Sequence, residues 1–138
     1  MIWVDTGPLV ALFDPRDGKH RHCREVLASL REPLYTTIPV LTEAFHMLAT
    51  GSQGSARLMD FIGSGGLCTW FLDDDTMERA FALMNEYADQ AMDLADASLI
   101  VAAETTRCRT LFTLDRKDFL VYRARVGHRR VPLDLVTA

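Results

Sequence analysis

The sequence predicts an α/β protein in which a mostly parallel sheet of four to five strands lies between helices on both faces. Three observations support this prediction. Short apolar runs alternate with segments of helical periodicity along the 138 residues. The segments between these runs are long enough for helical crossovers, which join parallel strands. Glycine turns separate the elements without a linker or a repeat, so we expect a single domain over residues 1–138.

The first half of the chain alternates predicted strands and helices. Thr6 is expected to cap the first helix, because Pro8 follows in its first turn and has a fixed φ that suits a helix start. Pro39 marks a helix start in the same way, and Gly51 ends that helix. The predicted elements are strand Ile2–Val4, a helix through Leu9–Phe13, helix Lys19–Leu30, strand Leu34–Thr37, helix Val40–Ala49 and helix Ser55–Ile62.

The second half continues the alternation. Asp73, Asp74 and Asp75 stand at a helix start, where carboxylates stabilise the positive end of the helix dipole. A last short strand is expected at the edge of the sheet, at Val131–Leu133. The other predicted elements are strand Leu67–Leu72, a helix from the three aspartates to Ala88, helix Leu94–Thr106 and strand Thr110–Leu114, which Asp115 follows.

The composition excludes several classes of protein. Hydrophobic residues make up 49% and charged residues 25%, which is typical of a globular domain rather than a disordered or fibrous chain. The apolar runs fall short of the roughly 18 residues that a membrane-spanning helix needs, so no membrane partner is expected. Cys23, Cys68 and Cys108 are widely spaced and form no C-x-x-C motif, which favours a reducing cytoplasm over secretion.

Charge is unevenly distributed along the chain. The net charge is −4, but residues 1–103 carry −8 and residues 104–138 carry +4. Such a contrast is typical of an acidic site on one surface and a basic surface elsewhere. The alternative is that solvated faces differ by chance.

Four or five carboxylates are predicted to meet at one edge of the sheet. Asp5 and Asp115 follow strands directly, and Glu43 lies in the first or second turn of the helix after the second strand. Asp93 and Asp96 are three residues apart at a helix start, so they share a face. In an open parallel sheet, ligands bind beyond the carboxyl ends of the strands, near the point where strand order reverses.

Carboxylates gathered in this way repel one another, by about 4 kcal/mol per pair at about 4 Å and an effective dielectric constant of about 20. A hard divalent cation compensates this repulsion, and Mg²⁺ or Mn²⁺ prefers oxygen ligands. Such an ion activates water for phosphodiester cleavage. The sequence therefore predicts a Mg²⁺ or Mn²⁺ site.

Each carboxylate also has a purely structural interpretation. An Asp after a strand is often a helix N-cap or a turn residue, which applies to Asp5 and is the favoured interpretation of Asp93 taken alone. The aspartates 73–75 are assigned to capping, and Asp118 to a solvated turn. The combination of carboxylates, rather than any one of them, carries the metal prediction.

Four segments of the chain match the pattern of a known family. They are Ile2-Trp3-Val4-Asp5-Thr6, Thr42-Glu43, Asp93-Leu94-Ala95-Asp96-Ala97-Ser98-Leu99 and Leu111-Phe112-Thr113-Leu114-Asp115-Arg116-Lys117-Asp118-Phe119. In this order and at these spacings they resemble the PIN domain, and more closely the VapC-type toxins of prokaryotic toxin–antitoxin pairs. The resemblance covers nearly the whole chain.

The resemblance implies a site and an activity. The implied acidic set is Asp5, Glu43, Asp96 and Asp115. Asp93 is then either an accessory ligand or a helix cap, and Thr6 and Thr113 support the ligands or position water. The implied activity is RNA cleavage that depends on Mg²⁺ or Mn²⁺, in a homodimer inhibited by a small antitoxin that inserts a segment at the acidic site. Gly7 departs from the family pattern, since many relatives carry a small polar residue there.

Arg116 and Lys117 stand directly beside Asp115, within a stretch that holds eight of the fifteen Lys and Arg residues. A groove for an RNA backbone needs cationic side chains at such a place, so both are predicted to bind substrate. For Arg129 and Arg130, exposed solubilising charge is the slightly favoured interpretation.

Two aromatic residues in the same stretch, Phe119 and Tyr122, are candidates for base stacking. Phe119 is favoured as a core residue instead. Few aromatic residues therefore alternate with the basic residues in this stretch.

The favoured hypothesis is an endoribonuclease that cleaves single-stranded or looped RNA by a metal-activated water, as the toxin of a toxin–antitoxin pair. One alternative is a stand-alone PIN nuclease that acts on RNA or DNA. The other is a degenerate PIN module that binds RNA or a partner without cleavage. The complete acidic set favours an enzyme, because loss of metal ligands is the easiest route to degeneracy.

Overall fold

The computed structural model describes residues 1–136. Its helices are α1 Thr6–Phe13, α2 His20–Ser29, α3 Ile38–Leu48, α4 Gln53–Gly63, α5 Asp74–Glu86, α6 Leu94–Thr106 and α7 Arg116–Phe119, with a 3₁₀ turn at Ala88–Gln90. Its strands are β1 Ile2–Val4, β2 Leu34–Thr37, β3 Cys68–Trp70, β4 Thr110–Phe112, β5 Ala124–Val126, β6 Arg129–Val131 and β7 Asp134–Val136. Within these residues, no helix is both long and apolar enough to cross a membrane.

The main sheet has five parallel strands in the order β3-β2-β1-β4-β7. This confirms the predicted parallel α/β architecture. Strand order reverses between β1 and β4, since the chain adds strands on one side of β1 and then crosses to the other. The carboxyl ends of these two strands therefore flank the crevice where such sheets bind ligands.

Apolar side chains on the central strand and on α6 build the core. Ile2, Trp3 and Val4 are each at most 2% exposed, as expected for a strand covered on both faces. The indole N–H of Trp3 donates to the carbonyl of Cys108 at 2.9 Å, so the large ring is buried without an unpaired donor. Helix α6 is buried along most of its length by small side chains from Ala95 to Ala103, and it packs against α3, α5 and β2. The beginning of α6 is thereby placed beside the crevice.

Two predicted details at the start of the chain are corrected. The first helix is capped by Asp5 rather than by Thr6, because β1 ends at Val4 and the extended Asp5 accepts the N–H of Thr6 at 2.8 Å. Thr6 is the first helical residue. The helix that was expected to start at Val40 starts at Ile38, with Thr37 as its N-cap.

The end of the chain also differs from the prediction. The edge strand is Asp134–Val136, parallel to β4, and not Val131–Leu133. Val131 instead belongs to an antiparallel ribbon of β5 and β6 that the sequence analysis did not predict. Pro132 has no N–H to donate to a neighbouring strand, which separates the ribbon from the edge strand.

Candidate active site

Beyond the carboxyl ends of β1 and β4 lies an open cavity of about 580 Å³. Its acidic lining residues are Asp5, Glu43, Asp93, Asp96, Asp115 and Asp118. None of the described residues that line it is basic. The fold thus gathers every carboxylate that the sequence analysis placed at this edge, and we call this cavity the acidic cleft.

Asp5 is the most deeply buried acid of the cleft, at 7% exposure. Its Oδ1 accepts the N–H of Thr6, and its Oδ2 accepts the hydroxyl of Thr113 at 2.8 Å. Burial, together with the charges of Glu43 and Asp115, raises the pKa of Asp5 to about 6, against the opposing effect of these hydrogen bonds. Asp5 is therefore held rigidly in a position where its negative charge is poorly compensated.

Thr113 connects Asp5 to the next acidic segment. The same hydroxyl that donates to Asp5 accepts the N–H of Asp115 at 2.9 Å. Asp115 in turn caps α7, because its Oδ1 accepts the N–H of Asp118 at 3.1 Å. One threonine thus sets the relative position of two carboxylates that are distant in sequence.

Asp118 is not the solvated turn residue that the sequence suggested. It lies within α7, is half-buried and lines the cleft. Partial burial and the neighbouring Asp115 raise the pKa of Asp118. The helical turn from 116 to 119 explains the difference, since it directs Asp118 back towards its own cap residue.

The beginning of α6 supplies two further carboxylates. Asp93 is the N-cap and accepts the N–H of Asp96 at 2.8 Å, as the capping interpretation predicted. Burial, Asp93 and Asp5 raise the pKa of Asp96 to about 8. Glu43, in the second turn of α3, also has a raised pKa because of burial and the charge of Asp93. These groups share one region of unbalanced negative charge.

Tyr122 is a site residue that sequence reasoning assigned wrongly. It is fully buried, so it cannot stack on a base, and its hydroxyl donates to Asp96 Oδ2 at 3.2 Å. Its ring packs edge-on against Tyr87 and Phe119, with centroid distances of 5.2 Å in both pairs. Phe119 is buried in the core, as favoured. The sequence carries no signal for the contact between Tyr122 and Asp96, which are 26 residues apart.

The donor set suits Mg²⁺ or Mn²⁺ in chemistry, since it consists of carboxylate oxygens in a cleft without basic lining residues. Among residues 1–136, however, no three His, Cys, Asp or Glu side chains form a ready-made metal cage. Mg²⁺ keeps several of its waters and commonly binds through one or two carboxylates plus substrate phosphates, so a cage of three side chains is not required. The residues fit a hydrated divalent ion.

Two threonine and two cationic candidates have distinct positions. The hydroxyl of Thr6 is buried beside Asp5 and has no hydrogen-bond partner within the described residues. The hydroxyl of Thr113, in contrast, both donates a hydrogen bond to Asp5 and accepts one from Asp115. Arg116 and Lys117 are exposed on α7, next to the cleft but outside its lining.

Most of the other basic residues of the C-terminal segment are not at the cleft. The guanidinium of Arg123 donates to the carbonyls of residues 120–122 at the end of α7. The backbone N–H of Arg125 donates to Glu104 on α6, and the guanidinium of Arg130 contacts Glu86 on α5. Arg116 and Lys117 are adjacent in sequence to Asp115, and their role in substrate binding stays a prediction.

A second cavity of about 610 Å³ adjoins the acidic cleft and shares Glu43 and Asp93 with it. Its other lining residues are mainly apolar: Ile38, Pro39, Thr42, His46, Leu94 and Ala95. Ile38 is 44% exposed, so its aliphatic side chain is accessible in this lining. We call this cavity the apolar groove.

Comparison with known proteins agrees with this arrangement. The PIN domain family model matches residues 2–124. Ribonuclease VapC26 of Mycobacterium tuberculosis is 30% identical over 131 residues, which cover 91% of this chain and 95% of the relative.

Solved structures share the fold. VapC20 of Mycobacterium tuberculosis, a sarcin–ricin loop cleaving toxin, has a TM-score of 0.78 at 19% identity, covering 85% of this chain and 92% of its own. A toxin–antitoxin complex from Klebsiella pneumoniae has a TM-score of 0.67 at 23% identity, covering 99% and 97%. VapBC2 from Rickettsia felis, bound to a promoter DNA fragment, has a TM-score of 0.65 at 17% identity, covering 100% and 99%. The chain belongs to the PIN-domain family, in its VapC group.

Proposed function

We propose that this chain is a metal-dependent endoribonuclease whose active site is the acidic cleft. One observation carries the proposal: carboxylates from four segments meet at the switch point of a PIN fold, with raised pKa values at Asp5 and Asp96 and no basic residue among the described residues of the lining. Such a cluster is costly for folding alone and suits an added divalent cation. The name of the 30% identical relative, a ribonuclease, supports RNA as the substrate.

Asp5, Glu43, Asp96 and Asp115 would hold Mg²⁺ or Mn²⁺, with Asp93 as helix cap and outer support. When bound, the ion would supply a nucleophilic water and compensate charge at the scissile phosphate. Thr113 orients Asp5 and α7 together, and Tyr122 orients one oxygen of Asp96. Thr6 would support Asp5, next to which its hydroxyl is buried without a hydrogen-bond partner among the described residues.

Arg116 and Lys117 would bind the RNA backbone beside the cleft, because both are exposed on α7 next to the acids. Neutralising both should raise KM for RNA and flatten the salt dependence of binding by about one unit of slope per lost contact. RNA affinity over a salt series, in catalytically inactive Asp5→Asn protein, measures this. Equal affinity and slope with and without the two substitutions would place the substrate elsewhere.

The central experiment combines cleavage and metal binding. The purified chain should cleave RNA with Mn²⁺ or Mg²⁺ and lose activity when the ion is chelated. Asp5→Asn should abolish cleavage and weaken Mn²⁺ binding in calorimetry, whereas Asp60→Asn, an equal charge change on the exposed side of α4, should leave both unchanged. RNA binding without any cleavage would support the degenerate module, and cleavage of DNA in preference to RNA would support the stand-alone nuclease.

We further propose that the chain is the toxin of a toxin–antitoxin pair and a homodimer. The apolar groove favours this second proposal, because an exposed apolar surface that opens into the acidic cleft suits a partner segment with apolar and basic side chains. The solved relatives include toxin–antitoxin complexes. Three free cysteines fit a reducing cytoplasm.

A partner bound in this way should inhibit cleavage. Ile38→Asp should weaken its binding without loss of cleavage by the free protein, which co-purification and cleavage assays measure. Sedimentation of the free chain tests the dimer.

A further inference from the structure

The ribbon of β5 and β6 is basic and extends beyond the PIN-domain match, which ends at residue 124. Arg125 pairs with Arg130 across the ribbon, and Val126 pairs with Arg129. The connecting turn consists of Gly127 and His128, with φ +63° at Gly127, a conformation that favours glycine. The arginines of this segment are therefore presented by a defined element and not by a loose tail.

The ribbon leads away from the acidic cleft along α6. Tyr122, just before β5, contacts Asp96 at the beginning of α6, and the N–H of Arg125 donates to Glu104 near its end. Glu104 lies eight positions after Asp96 on the helix, which corresponds to about 12 Å.

A group of exposed basic residues lies on the ribbon and at the C-cap of α6. We call it the basic end, and it comprises Arg107, Arg125, His128, Arg129 and Arg130. Arg130 forms an ion pair with Glu86. Arg107, the C-cap of α6, and Arg129 form no ion pair with any side chain of residues 1–136. The chain as a whole has a charge of −4, so this is a local excess of the opposite sign.

Solubility alone does not account for this charge. Charged side chains on exposed strand edges prevent pairing with other chains, but either sign serves that purpose. Positive groups on an acidic chain bring the net charge closer to zero, which favours association rather than solubility. Arg125 and Arg130, directly opposite each other on the ribbon, also repel one another. A polyanionic partner compensates both the local excess of positive charge and the repulsion between the two arginines.

We propose that the basic end is a second RNA-binding surface, which contacts the backbone of an RNA whose scissile phosphate lies in the acidic cleft. The inference rests on the proposed ribonuclease function. Guanidinium groups bind phosphates in a planar, bidentate geometry, and such contacts position the nucleic acid without reading its sequence. Only an RNA that extends several nucleotides from the cleaved bond reaches both surfaces.

The test uses the full chain with Arg107→Gln and Arg129→Gln combined, because neither side chain has an ion pair to lose. In an Asp5→Asn background, this change should lower affinity for a stem–loop RNA about tenfold and reduce the salt slope by about one to two units. In the otherwise unmodified enzyme, it should raise KM for the stem–loop and leave cleavage of a tetranucleotide unchanged, since the latter is too short to reach the basic end.

The matched control is Arg21→Gln with Arg24→Gln, an equal charge change on the exposed face of α2, where the Arg21–Glu25 pair is worth little. Unchanged stem–loop affinity in the Arg107/Arg129 variant would overturn the inference. An equal loss of stem–loop affinity in the control variant would also overturn it. The same holds if the Arg107/Arg129 variant loses as much cleavage of the tetranucleotide as of the stem–loop. If wild-type protein neither binds nor cleaves RNA, the ribonuclease proposal itself fails; if it cleaves normally and only the variant effect is missing, only the second surface is refuted.

Discussion

Helix α6 carries carboxylates at both ends, and their surroundings differ. At its beginning, Asp96 is next to Asp93 and Asp5, and within residues 1–136 its side chain has only the neutral hydroxyl of Tyr122 as a hydrogen-bonding side-chain partner. Near its end, Glu104 binds the guanidinium of Arg79 through two hydrogen bonds of 2.9 and 3.0 Å. Glu104 is thus half-buried beside a compensating positive charge, whereas Asp96 is half-buried beside further negative charges. The carboxylate of Glu104 therefore stabilises the fold, whereas the charge of Asp96 destabilises it.

The strongest test of the comparison is Asp96→Asn. Removal of the charge should reduce RNA cleavage by about a hundred- to a thousandfold, the range seen when one group that stabilises transition-state charge is lost. The metal-free protein should be equally or more stable, because repulsion with Asp5 and Asp93 is relieved. Mn²⁺ calorimetry and thermal unfolding measure the two effects. Full Mn²⁺ affinity in this variant would remove Asp96 from the ligand set.

Glu104→Gln should have the opposite pair of effects: the protein should lose stability but not RNA cleavage. The change leaves the half-buried Arg79 without its anion, so we expect a loss of about 2–3 kcal/mol in the free energy of unfolding. Cleavage per folded molecule should not change, since Glu104 lies about 12 Å along α6 from Asp96. Denaturant unfolding and kcat at a temperature where the variant is folded provide the measurements. A selective loss of kcat would contradict the division between the two ends.

The acidic cleft also predicts a pH dependence of stability. Unfolded aspartates titrate near pH 4, whereas the folded values are about 6 for Asp5 and about 8 for Asp96. The folded state therefore binds more protons between these values, and metal-free protein should lose stability as pH rises from about 4 to about 8. Asp5 alone accounts for about 3 kcal/mol of this loss in the free energy of unfolding, since its pKa is about two units higher in the folded protein.

Chemical unfolding of chelator-treated protein across this range provides the measurement. Asp5→Asn should flatten the profile, and saturating Mn²⁺ should restore stability at high pH because the ion binds the ionised carboxylates. A stability that rises steadily with pH in the metal-free protein would contradict the assignment of uncompensated charge to the cleft.

Tyr122→Phe sharpens the comparison by removing only the hydroxyl that orients Asp96. The ring contacts with Tyr87 and Phe119 should persist, so stability should change little. Mn²⁺ affinity should fall about tenfold, as for other groups that orient a metal ligand. Tyr87→Phe is the matched control, because its hydroxyl accepts the N–H of Arg123 and does not contact an acid of the cleft. Equal effects of the two variants would indicate a purely structural role.

The smallest effect is expected for Asp93→Ser. Serine caps a helix about as well as aspartate, so stability should stay within about 0.5 kcal/mol and cleavage within about threefold. Asp93→Ala should instead cost about 1 kcal/mol through loss of the cap. Unfolding and cleavage assays on both variants decide the role. A loss of cleavage by Asp93→Ser as deep as that by Asp96→Asn would make Asp93 a direct metal ligand.

The sequence by itself determined the alternation of elements and the approximate place of the acids. Asp5 and Asp115 follow short apolar strands, and Leu94–Thr106 is predicted with the bounds that the structure has. These predictions depend on local information: the periodicity of apolar residues and the capping preferences of Asp. In a parallel sheet, local position at a strand end is enough to place a side chain at the common edge.

Only the tertiary structure decided which charges are paired and which are not. The contacts of Asp96 with Tyr122 and of Glu104 with Arg79 join residues 26 and 25 positions apart, and no periodicity links them. The same is true of the basic segment, where the guanidinium of Arg130 contacts Glu86, 44 positions earlier in the chain. Pairing depends on packing between distant elements, whereas pattern and capping depend on neighbours along the chain, which is why the sequence located the acids but not their partners.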